Sequence, residues 1–81
     1  MWIVNQDRDE LINSDRVKNI FINKLIKLTN PKYEIKADET TLGVYTSEEN
    51  ANKVLNYILY CLCSGKKEMN IAIEENGELL K

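Results

Sequence analysis

In several short stretches of this chain apolar and polar positions alternate with a period of two. One stretch repeats instead at steps of three and four. The first pattern predicts strands and the second a helix. Trp2 to Asn5 reads as a short strand of aromatic and β-branched residues. Gln6-Asp7-Arg8-Asp9 is polar and turn-like, and Leu11 to Asn13 resumes a strand, so the opening reads as a hairpin. Val17 to Leu28 fits either period. Val17, Ile20, Phe21, Lys24, Leu25 and Leu28 have helical spacing, yet the central Ile20-Phe21-Ile22 favours a strand. Asn30-Pro31 breaks the chain. Tyr33, Ile35 and Ala37 alternate with Glu34, Lys36 and Asp38, as in a half-buried strand. After a turn at Asp38-Glu39-Thr40 comes a strand over Thr41 to Tyr45, whose internal Gly43 signals a bulge or a close backbone approach.

The helix is predicted over about 46–64. Thr46-Ser47-Glu48-Glu49 fits a capping box, with Thr46 as N-cap and Glu49 reaching back, or with Ser47 as the cap instead. Ala51, Val54, Leu55, Ile58, Leu59 and Leu62 form one apolar stripe. Gly65 supplies the left-handed residue that ends such a helix. Beyond it Met69, Ile71 and Ile73 alternate, Asn76-Gly77 is a hairpin-turn signal, and Leu79 and Leu80 form a return strand or stay loose. The expected fold is α+β: a small antiparallel meander of four to five strands packed against one amphipathic helix, with a C-terminal hairpin signal.

Length and composition narrow this. Eighty-one residues, 43% hydrophobic and 30% charged, make one globular domain spanning 1–81. A domain this small buries a modest share of its surface, which leans toward a homo-oligomer, a homodimer in the simplest case. The net charge of -2 supplies no general cationic field for nucleic acid or anionic lipid. No run of about 20 apolar residues suggests a membrane span. Cys61 and Cys63 are two apart on the predicted helix and diverge, so they read as free thiols of a reducing compartment. No secretory signal pattern opens the chain, and the expected location is the cytoplasm.

Candidate chemistry is mostly excluded. Histidine is absent, which removes Ser-His and Cys-His pairs and leaves too few ligands for a zinc site. Asp7, Asp9, Glu10 and Asp15 cluster near the first turn, but an EF-hand loop counted from Asp7 would place Ile12 where Gly is needed and Lys18 where Glu is needed. A phosphate site at Gly43 and the helix start is opposed by Glu48 and Glu49 in the first turn. Lys66 and Lys67 lie near the two thiols, yet those read as small hydrophobes at the core edge. The sequence points to no enzyme, no cofactor and no metal.

Two surfaces stand out as contact candidates. Residues 16–36 hold six cations, Arg16, Lys18, Lys24, Lys27, Lys32 and Lys36, against Glu34 alone. Lys24, Lys27, Lys32 and Lys36 would suit an anion or an acidic partner; solvated faces and protective edge lysines are the plainer account. Tyr57 and Tyr60 fall opposite the helix stripe, beside Lys53 and Asn56, where aromatic residues suit a protein interface.

Met1-Trp2-Ile3-Val4-Asn5-Gln6-Asp7, Leu11-Ile12-Asn13 and Gly43-Val44-Tyr45-Thr46-Ser47-Glu48-Glu49 together resemble a family of short uncharacterised proteins from phages and mobile elements of low-GC Gram-positive bacteria. The resemblance covers most of the first two thirds of the chain and leaves out the tail after Gly65. Its motifs are structural, so it implies a setting and no site: an accessory factor, such as an inhibitor of a host defence protein. The expected function is a non-catalytic binding protein that occludes or bridges a protein partner, with Tyr57, Tyr60 and Lys53 as contact residues. The alternative is an oligomer binding a small anion or nucleotide through the lysines of 24–36. Nucleic acid and membranes are not expected partners.

Overall fold

The computed structural model describes residues 1–27 and 29–71. Its elements are β1 (Trp2–Val4), β2 (Leu11–Asn13), a single 3-10 turn (Ser14–Arg16), β3 (Ile20–Leu25), β4 (Lys32–Ala37), β5 (Thr40–Tyr45), α1 (Glu48–Cys63) and β6 (Glu68–Asn70). The α+β expectation holds. The strands form two three-stranded sheets, ordered β2-β1-β6 and β3-β4-β5, rather than one continuous meander. β1 pairs antiparallel with β2 and parallel with β6, so the chain after the helix returns to the opening strand. The predicted turn at Asn76-Gly77, and Leu28, Ile73, Leu79 and Leu80, lie outside the described residues.

The ambiguous stretch after Val17 is a strand, and its pairing shows why. Ile20 faces Ala37 and Ile22 faces Ile35, which sets the apolar residues of β3 and β4 on one side. Helix α1 covers that side. Between β4 and β5 the register shifts: Ile35 faces Gly43 while Lys36 faces Thr41, leaving Leu42 as an extra residue. The bulge turns both Leu42 and Gly43 inward, where they are buried. A Cβ on Gly43 would stand 2.7 Å from the Tyr45 hydroxyl oxygen, so the missing side chain is what lets the Tyr45 ring lie across the strand.

The N-cap of α1 is Ser47, the second of the two expected candidates. Its hydroxyl accepts from the Asn50 N–H at 3.3 Å. Gly65, at φ 74, follows the end of the helix as expected. One core unites both sheets and the helix: Ile3, Met69 and Ile71 from one side meet Ile35, Leu42, Val54, Ile58 and Cys61 from the other. Each large aliphatic side chain buried there stabilises the fold by about 1.5–3 kcal/mol, before chain entropy is subtracted. Among the described residues no helix is long and apolar enough to cross a membrane.

Candidate functional site

The apolar stripe of α1 is wider than the sheet beneath it requires. Ala51, Val54, Ile58 and Cys61 form the line that the core covers completely. Leu55 is half-buried, Leu59 is 58% exposed and Leu62 is 40% exposed. The sequence placed Leu59 and Leu62 in the core stripe and Cys61 at its edge. The structure reverses this, because the helix is rotated so that Cys61 points down onto the sheet. Cys61 is thus a core residue, and Cys63 is an exposed free thiol.

The leucines left on the flank do not stand alone. Leu55, Leu59 and Leu62 form one wall of a groove of about 430 Å³, with Val17 and Ile20 opposite and Lys18, Asn19 and Asn56 supplying polar edges. The second wall is held by Asp38. Its carboxylate accepts the backbone N–H groups of Lys18 at 3.0 Å and Asn19 at 2.9 Å, and its own N–H donates to the Asn19 carbonyl at 2.8 Å. Asp38 adopts φ 54, a left-handed conformation uncommon outside glycine and a few short polar residues. Those two N–H groups, Lys18 before Asn19 in effect, hold its carboxyl below the ordinary aspartate range. The tight β4–β5 turn and the groove wall are therefore locked by one side chain.

At Ile20 the groove reaches β3, beside whose outer edge no other described strand lies. β3 is terminal in its sheet, and its six pairs with β4 run without interruption. Since Asp38 bonds Asn19, alternation along the antiparallel ladder assigns Phe21, Asn23 and Leu25 to bonding with β4. The backbone N–H and C=O groups of Ile20, Ile22 and Lys24 then point away from the sheet. The opposite edge is finished differently. Gln6 donates its backbone N–H to Leu42 O at 2.7 Å, its side-chain oxygen accepts from Val44 N–H at 2.8 Å, and its side-chain amide donates to Val44 O at 3.3 Å. A glutamine side chain there replaces a neighbouring strand.

The expected lysine surface is not assembled as one patch. Lys24 shares the helix side of the sheet with Tyr33 and pairs with Glu48 in the first turn of α1. That hydrogen bond, with the attraction of the carboxylate, raises the Lys24 ammonium above its ordinary value. Lys32 and Lys36 alternate with buried Ile35 and Ala37 and so lie on the opposite face; Lys27 is exposed in the turn after β3. On that outer face Glu34 accepts from Asn23 at 2.9 Å and from Thr41 at 3.4 Å. The density of lysines along the sequence reflects three directions in space.

The tyrosine surface is more mixed than expected. Tyr60 is 61% exposed, but Tyr57 is half-buried and packs against the core. Their rings stack at 5.8 Å between centroids, and Lys66 donates to the Tyr57 hydroxyl at 3.1 Å. Lys53 forms an i,i+4 ion pair with Glu49 at 3.6 Å. The early acidic turn is organised by buried Asn5, whose side-chain oxygen accepts from the N–H groups of Asp9 and Glu10 and whose amide donates to Asp9. Among the described residues no three His, Cys, Asp or Glu side chains are grouped to hold a metal.

Sequence reasoning missed the groove. The available signal was the stripe itself: six apolar positions on one helix exceed what three short strands cover. Val17 and Ile20 carried no comparable sign, because their approach to α1 depends on the Asp38 clamp twenty residues away. In comparisons with known proteins, no family model, curated protein or solved structure matches the chain.

Proposed function

We propose that this protein is a non-catalytic binding module that acts by direct contact with a protein, through the groove between α1 and the start of β3. The observation that carries the reading is the joining of exposed Leu59 and Leu62 to a strand edge with outward backbone groups. An extended segment added to such an edge gains main-chain hydrogen bonds, while an adjacent apolar groove takes its side chains and selects among partners. The resemblance to short phage and mobile-element proteins supplies the setting: an accessory factor that inhibits a host protein, a defence protein among the candidates, by occluding it. The lysines are divided among three directions, so the anion-binding alternative has no assembled site to rest on.

The test is capture from the lysate of a low-GC Gram-positive host, with wild type and Leu59→Lys run side by side and retained proteins identified by mass spectrometry. Leu59 is exposed, so the substitution leaves the fold intact. The expected result is a protein retained by wild type and lost with Leu59→Lys. Equal retention by both removes the groove from the account. Parallel capture with Tyr60→Ala measures whether the tyrosine flank contributes.

A further inference from the structure

We propose that a second copy of this chain occupies the groove, its β3 strand pairing antiparallel with the first across a twofold axis to give one continuous six-stranded sheet. This rests on the groove being a protein-contact surface and names the resident partner.

Edge strands of soluble proteins usually carry a device against pairing: a proline, a bulge, a charge, or a cover. Among the described residues β3 lacks three of these. Ile20-Phe21-Ile22-Asn23-Lys24-Leu25 contains no proline, its register with β4 is regular, and no other described strand lies beside it. Its one charge, Lys24, is neutralised by Glu48 of the same chain. The chain does close its other edge, where Gln6 takes the place of a strand along β5. Among the described residues one edge of this sheet is closed and the other is not.

The strand is also compatible with itself. A twofold axis through Ile22 or Asn23 sets Lys24 against Ile20 or Ile22 of the second copy, never against the second Lys24, so like charges stay apart. The outward groups of Ile20, Ile22 and Lys24 are those a twofold-related strand would bond. The joined sheets carry both helices on one face, each with Leu55, Leu59 and Leu62 on the flank that faces Val17 and Ile20 at the start of β3. Self-association also increases the apolar area removed from water in a chain of only 81 residues. A target protein and the second copy then compete for one surface.

Sedimentation equilibrium across a hundredfold range of protein concentration tests this, on wild type, Ile22→Pro and Leu59→Lys. Ile22→Pro removes an outward N–H and is tolerated where that group does not bond within the sheet. The expected result is twice the 9.4 kDa chain mass for wild type and the chain mass for both variants, with far-UV circular dichroism unchanged in Leu59→Lys. A wild-type monomer throughout the range, or a dimer that survives both substitutions, overturns the proposal. Were Ile22→Pro to unfold, Leu59→Lys alone decides it. A monomer that still loses its lysate partner with Leu59→Lys overturns only the second copy and leaves the groove's contact role standing.

Discussion

Along β5 the edge of the main sheet is closed: Gln6 meets Leu42 and Val44 with three hydrogen bonds, and the bulge at Leu42 disrupts the regular ladder. Along β3, two strands away, the edge runs straight for six residues beside a groove lined by exposed leucines. Both edges belong to one sheet, fold around one core and have similar lengths. Among the described residues the chain closes one edge of this sheet and leaves the other without a neighbouring strand. Apolar surface next to such an edge is what the proposed contact role rests on.

The sharpest way to test this contrast is on the helix, where core and groove residues are neighbours. Ile58→Ala removes a fully buried side chain and is expected to cost about 2–5 kcal/mol in chemical denaturation. Leu59→Ala, one position on, is expected to stay within about 0.5 kcal/mol of wild type when measured on dilute protein. Equal losses at the two positions would mean that Leu59 belongs to the core.

Effects on the closed edge come next. Gly43→Ala pushes a methyl group against the Tyr45 ring and is expected to destabilise by about 1–3 kcal/mol, read as a shift in denaturation midpoint. A neutral result would show that the Tyr45 ring moves freely and that the bulge is not set by packing. Gln6→Ala removes both side-chain bonds to Val44 and is expected to cost about 1 kcal/mol, since exposed hydrogen bonds contribute little each. Its clearer signature is faster amide exchange at Val44 with no change at Ile35.

The smallest effect concerns the groove wall. The Asp38 carboxyl titrates below its ordinary value near 3.8 because backbone N–H groups of Lys18 and Asn19 favour the ionised form. The folded state thus binds a proton less readily than the unfolded chain. The contribution of this clamp is fully present above about pH 4 and is lost as pH falls through the lowered folded value. Asp38→Asn is expected to flatten stability against pH in that acid range. An unchanged pH profile would mean that the clamp does not hold Val17 to Asn19 in place.

Much of the fold was legible because it is local. Period-two alternation marked β4, the Asn30-Pro31 break separated β3 from β4, and Gly43 announced the bulge in β5. The helix was legible within two residues at its start; the cap fell on Ser47 rather than Thr46, since two adjacent hydroxyl residues do not by themselves say which one opens the first turn. The division into two sheets was not legible. The pairing of β1 with β6 joins residues some 66 positions apart, and no local pattern encodes that partner. The site was harder still. Six stripe residues announce an amphipathic helix, but which of them face the sheet depends on a rotation set by tertiary contacts, and this one buried Cys61 and turned Leu59 and Leu62 outward. The lysines failed for a related reason: strand alternation sends Lys24 and Lys36 to opposite faces however close they stand in sequence.

Amide hydrogen exchange at the two sheet edges, followed as protein concentration rises, tests the central claim most directly. The Val44 N–H, bonded within its own chain to Gln6, is predicted to hold one protection factor at every concentration. The Ile22 N–H is predicted to exchange rapidly in dilute protein and to slow by tenfold or more as the chains associate. Rapid exchange at Ile22 at every concentration, or slowing that is equal at both edges, would contradict it.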